Sequence, residues 1–88
     1  MSKLYHFPKC TKAATNTAST QIVKILEEVH ELAETQNNDP LDDVRIIEET
    51  WDVIHAAEGV LRKYPPALVE FVRDSVEHKN RERGYYDK

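Results

Sequence analysis

The stretch STQIVKILEEVHELAE, residues 19–34, decides the fold class because its apolar residues recur at helical spacing. On a helical wheel they form one stripe, which consists of Ile22, Ile25, Leu26, Val29, Leu32 and Ala33. A repeat of three and four residues indicates an amphipathic α-helix with one buried face. Ser19 or Thr20 is a suitable N-cap, so the first strong helix is predicted to begin there.

A second amphipathic helix is predicted after the run QNNDP. Asp39 is a favourable N-cap and Pro40 a favourable first helical residue, and the helix is expected to continue to about Tyr64. One face of it carries six apolar residues, namely Ile46, Ile47, Val53, Ile54, Ala57 and Leu61. This second stripe predicts a helix that packs against the first.

A third helix is predicted to follow the pair Pro65-Pro66, because the residue before a proline is disfavoured in the α region. It is expected to end at Gly84, a typical residue just beyond a helix C-terminus. Its inward residues are predicted to be Leu68, Val69, Phe71, Val72 and Val76. Three amphipathic helices without any strand-like alternation predict an all-α fold.

The first 18 residues show no sustained period and are predicted to form an extended or partly ordered N-terminal arm. Leu4, Tyr5 and Phe7 are expected to pin this arm (residues 1–18) onto the helical domain, residues 19–88. The apolar stripes exceed what three short helices bury alone, so a bundle completed by oligomerisation is expected. The predicted partner is a second copy, in a homo-oligomer that is a dimer or a tetramer.

The composition excludes several function classes. The chain of 88 residues has a formal net charge of −4, which disfavours nucleic-acid binding through a basic surface. No apolar run reaches the roughly 20 residues that span a membrane, and the N-terminus lacks the apolar core of a secretion signal. These two absences predict that the protein has no membrane partner. Cys10 is the single cysteine and has no intramolecular partner, so a cytoplasmic location is expected.

Acidic residues flank two of the stripes in pairs. Glu28 and Glu31 are three residues apart on the first helix, and Glu49 and Asp52 repeat that spacing on the second. Antiparallel packing would bring the pairs together, and no basic residue follows residues 27–34 within reach. Converging carboxylates repel one another unless a cation compensates, and Mg²⁺ prefers oxygen ligands. The alternative is an acidic helix face that water solvates.

At these residues the sequence resembles a known family. EEVHE (Glu27, Glu28, Glu31) and, 17 residues later, ETWD (Glu49, Asp52) are similar to the EExxE…ExxD signature of MazG-like nucleotide pyrophosphohydrolases. Those enzymes belong to the all-α NTP pyrophosphatase superfamily, with relatives among dimeric dUTPases and phosphoribosyl-ATP pyrophosphohydrolases. The ending KNRERGYY also resembles the basic C-terminal motif of small members, many of them phage-encoded.

The resemblance implies that Mg²⁺, with Mn²⁺ as an alternative, is bound by Glu28, Glu31, Glu49 and Asp52. It implies hydrolysis of a nucleoside triphosphate between the α and β phosphorus atoms, giving a monophosphate and pyrophosphate. Glu27 and Glu28 are the candidate catalytic carboxylates, and Glu27 would orient water, support Glu28 or form a salt bridge. Related substrates such as phosphoribosyl-ATP or dUTP, and a non-catalytic helical adaptor, remain alternatives.

Two further groups have open roles. The candidate substrate-binding residues lie near the C-terminus and would hold the outer phosphates: Lys79, Asn80, Arg83 and Tyr86. The alternative for the cations is a favourable interaction with the helix C-terminus. Trp51 is interpreted as a core or subunit-interface anchor, with base stacking as the alternative. Because the chain is short, the N-terminal arm or an adjoining subunit would have to complete the nucleobase pocket.

Overall fold

The computed structural model describes residues 4–86, and this part of the chain is all-helical without a strand. Its α-helices are α1 (Thr11–Thr15), α2 (Ala18–Glu34), α3 (Asp43–Leu61) and α4 (Pro66–Glu82). A single 3-10 turn, Thr35–Asn37, extends α2. The all-α prediction is therefore confirmed. No helix of the described residues has both the length and the apolar character that crossing a membrane requires.

The starts of α2 and α3 differ from the predicted ones because other side chains cap them. Thr17 is the N-cap of α2, and its hydroxyl accepts a hydrogen bond from the Thr20 backbone N–H at 3.1 Å. Asp42 is the N-cap of α3 and accepts from the Arg45 N–H at 3.1 Å. The predicted start at Asp39-Pro40 is wrong, since this cis-linked pair lies in the preceding loop.

Both bounds of α4 agree with the predicted ones. Pro66 is at the first helical position, as expected, and Gly84 follows the helix with a φ of +80°. The Gly84 N–H donates to the Arg81 carbonyl and the Tyr85 N–H donates to the Asn80 carbonyl, both at 3.0 Å. This bonding pattern satisfies carbonyls that the helix leaves without partners. The end of α3 is earlier than predicted, at Leu61 rather than Tyr64.

Helices α2 and α3 form an antiparallel hairpin that is the body of the molecule. The Gln21 side chain near the start of α2 donates to the Ala56 carbonyl near the end of α3, at 3.0 Å. Gln21 is only 5% exposed, and Gly59 allows its close approach. A Cβ on Gly59 would lie 2.7 Å from Gln21 Nε2 and 2.9 Å from the Cβ of Ala13 in α1. Packing here therefore depends on the missing side chain of Gly59.

The described part of the N-terminal arm, residues 4–18, contacts α3, and Thr11–Thr15 form a helix where an extended or partly ordered segment was predicted. Glu58 of α3 is 6% exposed and accepts hydrogen bonds from both His6 and Phe7. The Arg62 guanidinium donates to the Phe7 carbonyl at 2.7 Å and lies 4.0 Å from the centre of the Tyr5 ring. The expected pinning of the arm by Tyr5 and Phe7 is confirmed.

The predicted burial of the apolar stripes is wrong for most of their residues within one chain. The buried apolar residues of the described part are Ala13, Ala56 and Val69. Helix α4 makes no more than marginal contact with the other helices, and Phe71 is 70% exposed. The radius of gyration is 15.2 Å, against about 12 Å for a compact chain of this length. Residues predicted inward but exposed are Ile22, Leu26, Val29, Ala33, Ile47, Leu61, Leu68, Phe71, Val72 and Val76.

Candidate metal centre

Three carboxylates from two helices converge on one side of the α2–α3 hairpin. Glu28 and Glu31 come from α2 and Glu49 comes from α3. One oxygen of each lies within 4.8 Å of the others. Three of the four residues predicted to bind a metal are therefore brought together. They meet because a spacing of three residues places both α2 acids beside one position of an antiparallel neighbour.

Asp52, the fourth predicted ligand, is not part of this group of oxygens. It lies one turn further along α3 than Glu49 and lines two cavities. Its charge still acts on the group, because it contributes to the raised pKa of Glu49. Asp52 is thus a neighbour of the cluster.

Glu49 has a carboxylate oxygen that is buried without a partner. Its side chain is 14% exposed, and its Oε1 atom is buried without a hydrogen-bond partner. Burial raises the pKa of Glu49, the charges of Glu31 and Asp52 raise it further, and Arg45 opposes them. A buried acceptor that lacks a donor costs free energy, so this oxygen is one that a cation would satisfy.

No basic residue follows residues 27–34 within reach, but Lys24, which precedes them, and Arg45 of α3 partner carboxylates of the cluster. Lys24 Nζ lies 2.9 Å from Glu28 Oε2 and 3.8 Å from Glu27 Oε1. The hydrogen bond to Glu28, with its charge, raises the pKa of Lys24. Arg45 Nε lies 3.9 Å from Glu49 Oε2. Lys24 precedes Glu28 by one helical turn, so a search upstream for i,i+4 pairs would have found it.

Glu27 lies at the edge of the cluster, and its side chain is 61% exposed. It lines a cavity of about 400 Å³ between α1, α2 and α3, together with Lys24, Glu28 and Asp52. The wheel separates Glu27 from Glu28, yet both side chains border the same space. The two candidate catalytic carboxylates are therefore accessible from one cavity.

A second cavity, of about 640 Å³, borders Glu49 on the side of the N-terminal arm. Its aromatic residues are His6 and Phe7 of the arm and Trp51 of α3. The shortness of the chain left the N-terminal arm or an adjoining subunit to complete the predicted nucleobase pocket. Within one chain the arm borders this cavity, although nothing in residues 4–10 specifies that contact. Trp51 is 43% exposed, so it is not a core residue in a single chain.

The four predicted substrate-binding residues lie elsewhere. Lys79 and Asn80 are in the last turns of α4, and Arg83 and Tyr86 follow it. None of the four lines either cavity beside the carboxylates. Arg81 lies among them, donates to Glu77 at 2.9 Å and lies 5.4 Å from the centre of the Tyr86 ring. Within one chain the basic end and the acidic cluster are not brought together.

Comparisons with known proteins give no family. No family model, no curated protein and no solved structure matches this chain.

Proposed function

We propose that this protein is a Mg²⁺-dependent nucleoside triphosphate pyrophosphohydrolase that converts an NTP or dNTP into the monophosphate and pyrophosphate. The observation that carries the proposal is the convergence of Glu28, Glu31 and Glu49 with a buried, unpartnered oxygen on Glu49. The similarity of EEVHE and ETWD to the MazG-like signature supports it. Mn²⁺ is the alternative metal.

The donor set fits a hard divalent cation. Carboxylate oxygens are what Mg²⁺ prefers, and Mg²⁺ commonly keeps waters and substrate phosphates among its ligands. Glu28, Glu31 and Glu49 would hold the ion, with Asp52 next to them. When bound, Mg²⁺ screens the charge of the phosphates and makes water more acidic.

The chain's own residues would supply general-base catalysis and positioning. Glu27 is exposed at the rim of the cavity that Glu28 also lines. Its carboxylate would orient a water towards the α-phosphorus and accept the proton as the new P–O bond forms. The bond between the α-phosphorus and the bridging oxygen breaks, and pyrophosphate leaves with its electron pair. Lys24, which contacts both Glu27 and Glu28, would offset their negative charge.

The proposed working form is a homo-oligomer, either a dimer or a tetramer. Helix α4 is scarcely covered by its own chain, and its apolar residues Leu68, Phe71 and Val72 are about half exposed or more. Covering such residues removes apolar surface from water, which stabilises association. A second copy would also bring the basic end of α4 (Lys79, Asn80, Arg83 and Tyr86) to the phosphates. We expect this enzyme to act in the cytoplasm, because its lone Cys10 has no disulfide partner.

A non-catalytic helical adaptor is the competing function, and two ion pairs favour it. Lys24 and Arg45 already offset part of the charge of Glu28 and Glu49, as on a solvated helix face. The adaptor predicts that no nucleotide is hydrolysed. It also predicts that divalent cations leave the melting temperature unchanged.

Pyrophosphate release separates the two functions. The wild type is assayed with Mg²⁺ on a panel of NTPs and dNTPs that includes dUTP and phosphoribosyl-ATP. The matched variants are Glu49→Gln, in the cluster, and Glu34→Gln, an exposed acid of α2 that pairs with His30. We expect turnover by the wild type and Glu34→Gln and its loss in Glu49→Gln. No release from any substrate would refute the enzyme, and full activity of Glu49→Gln would refute the site.

A further inference from the structure

We propose that the cavity between the N-terminal arm and α3 is a subsite for an amino-bearing nucleobase: cytosine, adenine or guanine. It is lined by His6, Phe7, Glu48, Glu49, Trp51 and Asp52. This inference rests on the proposed function, because it needs a nucleotide whose phosphates lie at the neighbouring carboxylates. It goes further by assigning the base-binding residues and a base preference.

Three aromatic rings line this cavity, those of His6, Phe7 and Trp51. The Trp51 ring centre lies 5.6 Å from that of His6, with the planes tilted by 55°, and 5.6 Å from that of Phe7, nearly edge-on at 80°. Phe7 in turn lies 4.6 Å from His55. Trp51 remains 43% exposed, so its indole keeps surface on which a planar base can stack. Stacking on aromatic side chains tolerates every base, because each has a π-face.

The arm side of the cavity is fixed in place by α3. Glu58 accepts from the His6 N–H at 2.8 Å, from the His6 ring Nδ1 at 2.9 Å and from the Phe7 N–H at 3.0 Å. Arg62 binds the Phe7 carbonyl at 2.7 Å. The His6 side chain is nevertheless 65% exposed. Because these contacts already order the arm, the arm loses little conformational entropy when a ligand binds, so it is suited to form a pocket wall.

The polar residues of the cavity supply the base preference. Glu48 and Asp52, which lie outside the acidic cluster, offer carboxylate oxygens, and ionised carboxylates only accept hydrogen bonds. Cytosine, adenine and guanine carry exocyclic amino groups that donate, whereas uracil and thymine present carbonyls there. A carbonyl facing a carboxylate is repelled and leaves an acceptor unsatisfied. The cavity therefore favours amino-bearing bases.

The cavity adjoins the acidic cluster, as the base and the phosphates of one bound nucleotide require. Glu49 belongs both to the acidic cluster and to the cavity lining, so the two sites adjoin. The cavity volume of about 640 Å³ is within the usual range of small-molecule sites. Phosphates at the cluster and a base against Trp51 can be parts of one bound molecule.

Trp51 is the only tryptophan of the chain, so its fluorescence reports on this cavity alone. The wild type is titrated with dCMP, dAMP, dTMP and deoxyribose 5-phosphate in the presence of Mg²⁺, and calorimetry measures the same affinities. We expect saturable quenching by dCMP and dAMP, binding of dTMP at least about fivefold weaker, and no quenching by deoxyribose 5-phosphate. Equal affinity for dCMP and dTMP, or no binding of any nucleotide, would overturn the proposal.

Variants locate the binding. Phe7→Ala is expected to weaken dCMP binding at least about fivefold, whereas Tyr64→Ala, at an exposed tyrosine outside the cavity, leaves it unchanged. If Phe7→Ala loses helicity, Phe7→Leu replaces it, because leucine keeps an apolar side chain but removes the aromatic ring. Equal dCMP affinity in Phe7→Leu and the wild type would overturn the subsite.

The monophosphates are not hydrolysed, so this test is independent of turnover. Binding of dCMP without pyrophosphate release from any substrate would refute the enzyme and keep the subsite. Pyrophosphate release with a KM that Phe7→Leu leaves unchanged would refute the subsite and keep the enzyme.

Discussion

Replacing Glu58 with glutamine removes the charge that holds the N-terminal arm on α3 and keeps the side-chain shape. Oε2 of Glu58 accepts both His6 bonds and Oε1 accepts the Phe7 bond. A glutamine has one acceptor oxygen, so it keeps either the His6 pair or the Phe7 bond. The bonds that survive lose their charged acceptor.

The expected cost follows from these bonds. A hydrogen bond to a charged group contributes about 1.5–3 kcal/mol and a neutral one about 0.5–1.5 kcal/mol. Replacing three such charged bonds with two neutral ones is therefore expected to cost about 3.5–6 kcal/mol. Urea unfolding followed by circular dichroism measures this loss. The matched control is Glu70→Gln, an exposed acid on α4, for which about 0.5 kcal/mol or less is expected.

Trp51 fluorescence adds a local measurement, because Trp51 contacts the arm residues His6 and Phe7. We expect Glu58→Gln to change the emission of the folded protein, since the released arm exposes the indole. Emission and free energy of unfolding within error of those of Glu70→Gln would refute the account of how the arm is held.

The pH dependence tests the same contact. Burial alone would raise the pKa of Glu58, but the hydrogen bonds from His6 and Phe7 outweigh it and leave the pKa below its ordinary value of 4.5. The folded state therefore binds this proton less readily than the unfolded state. The contribution of Glu58 to stability is full above about pH 4.5 and is lost as the pH falls through the lowered pKa. Glu58→Gln is expected to have a flatter stability profile in this acidic range, and parallel profiles would contradict the pKa shift.

Three more predictions concern packing, charge and assembly. Gly59→Ala is expected to lower the free energy of unfolding by about 1–3 kcal/mol, because the new Cβ would lie 2.7 Å from Gln21 Nε2. An unchanged urea midpoint would contradict this close approach of Gln21 to Gly59. Glu49→Gln is expected to raise the melting temperature at pH 7 in the absence of divalent cations. Burial and the charges of Glu31 and Asp52 raise the pKa of Glu49, so they disfavour the ionised carboxylate that the substitution removes. Scanning fluorimetry checks this, and a lower melting temperature would show that Glu49 is stabilising as a carboxylate. Phe71→Glu is expected to dissociate the oligomer, since Phe71 is 70% exposed on α4; a wild type that light scattering finds to be a 10.2 kDa monomer would refute the assembly.

The helices were predictable because their signals are local. Periodicity identified α2, α3 and α4, and Pro66 and Gly84 marked the bounds of α4. The caps were less predictable, because Thr17 and Asp42 are as suitable as the nearby residues that were expected. Such caps differ by about 1 kcal/mol or less, so tertiary contacts decide among them.

The burial of the apolar faces was not predictable from the same signals. A stripe shows which side of a helix is apolar but not what covers it, and in one chain little covers α4. Helix α1 was missed because five residues are too short for a periodic signal. It is held by tertiary contacts, such as the Lys63 ammonium donating to the Ala13 and Asn16 carbonyls.

The candidate site was predictable where it depended on spacing. The i,i+3 spacing of acids on two antiparallel helices predicted that Glu28, Glu31, Glu49 and Asp52 converge. The first three do, whereas Asp52 lies one turn further along α3, because spacing alone does not fix the register of the two helices. The neighbouring cavity depends on Glu58 binding the backbone of a segment some 50 residues away, and no local pattern encodes such a contact.

Direct metal binding tests the central claim, which is that three carboxylates of the α2–α3 hairpin hold a divalent cation. Electron paramagnetic resonance of Mn²⁺ measures the free ion as protein is added, with Mg²⁺ as the competitor. We predict that the wild type and Glu34→Gln bind Mn²⁺ and that added Mg²⁺ displaces it. Glu49→Gln is expected to bind Mn²⁺ at least tenfold more weakly, which corresponds to about 1.4 kcal/mol of binding free energy. Equal binding by Glu49→Gln and Glu34→Gln, or no binding by the wild type, would contradict the claim.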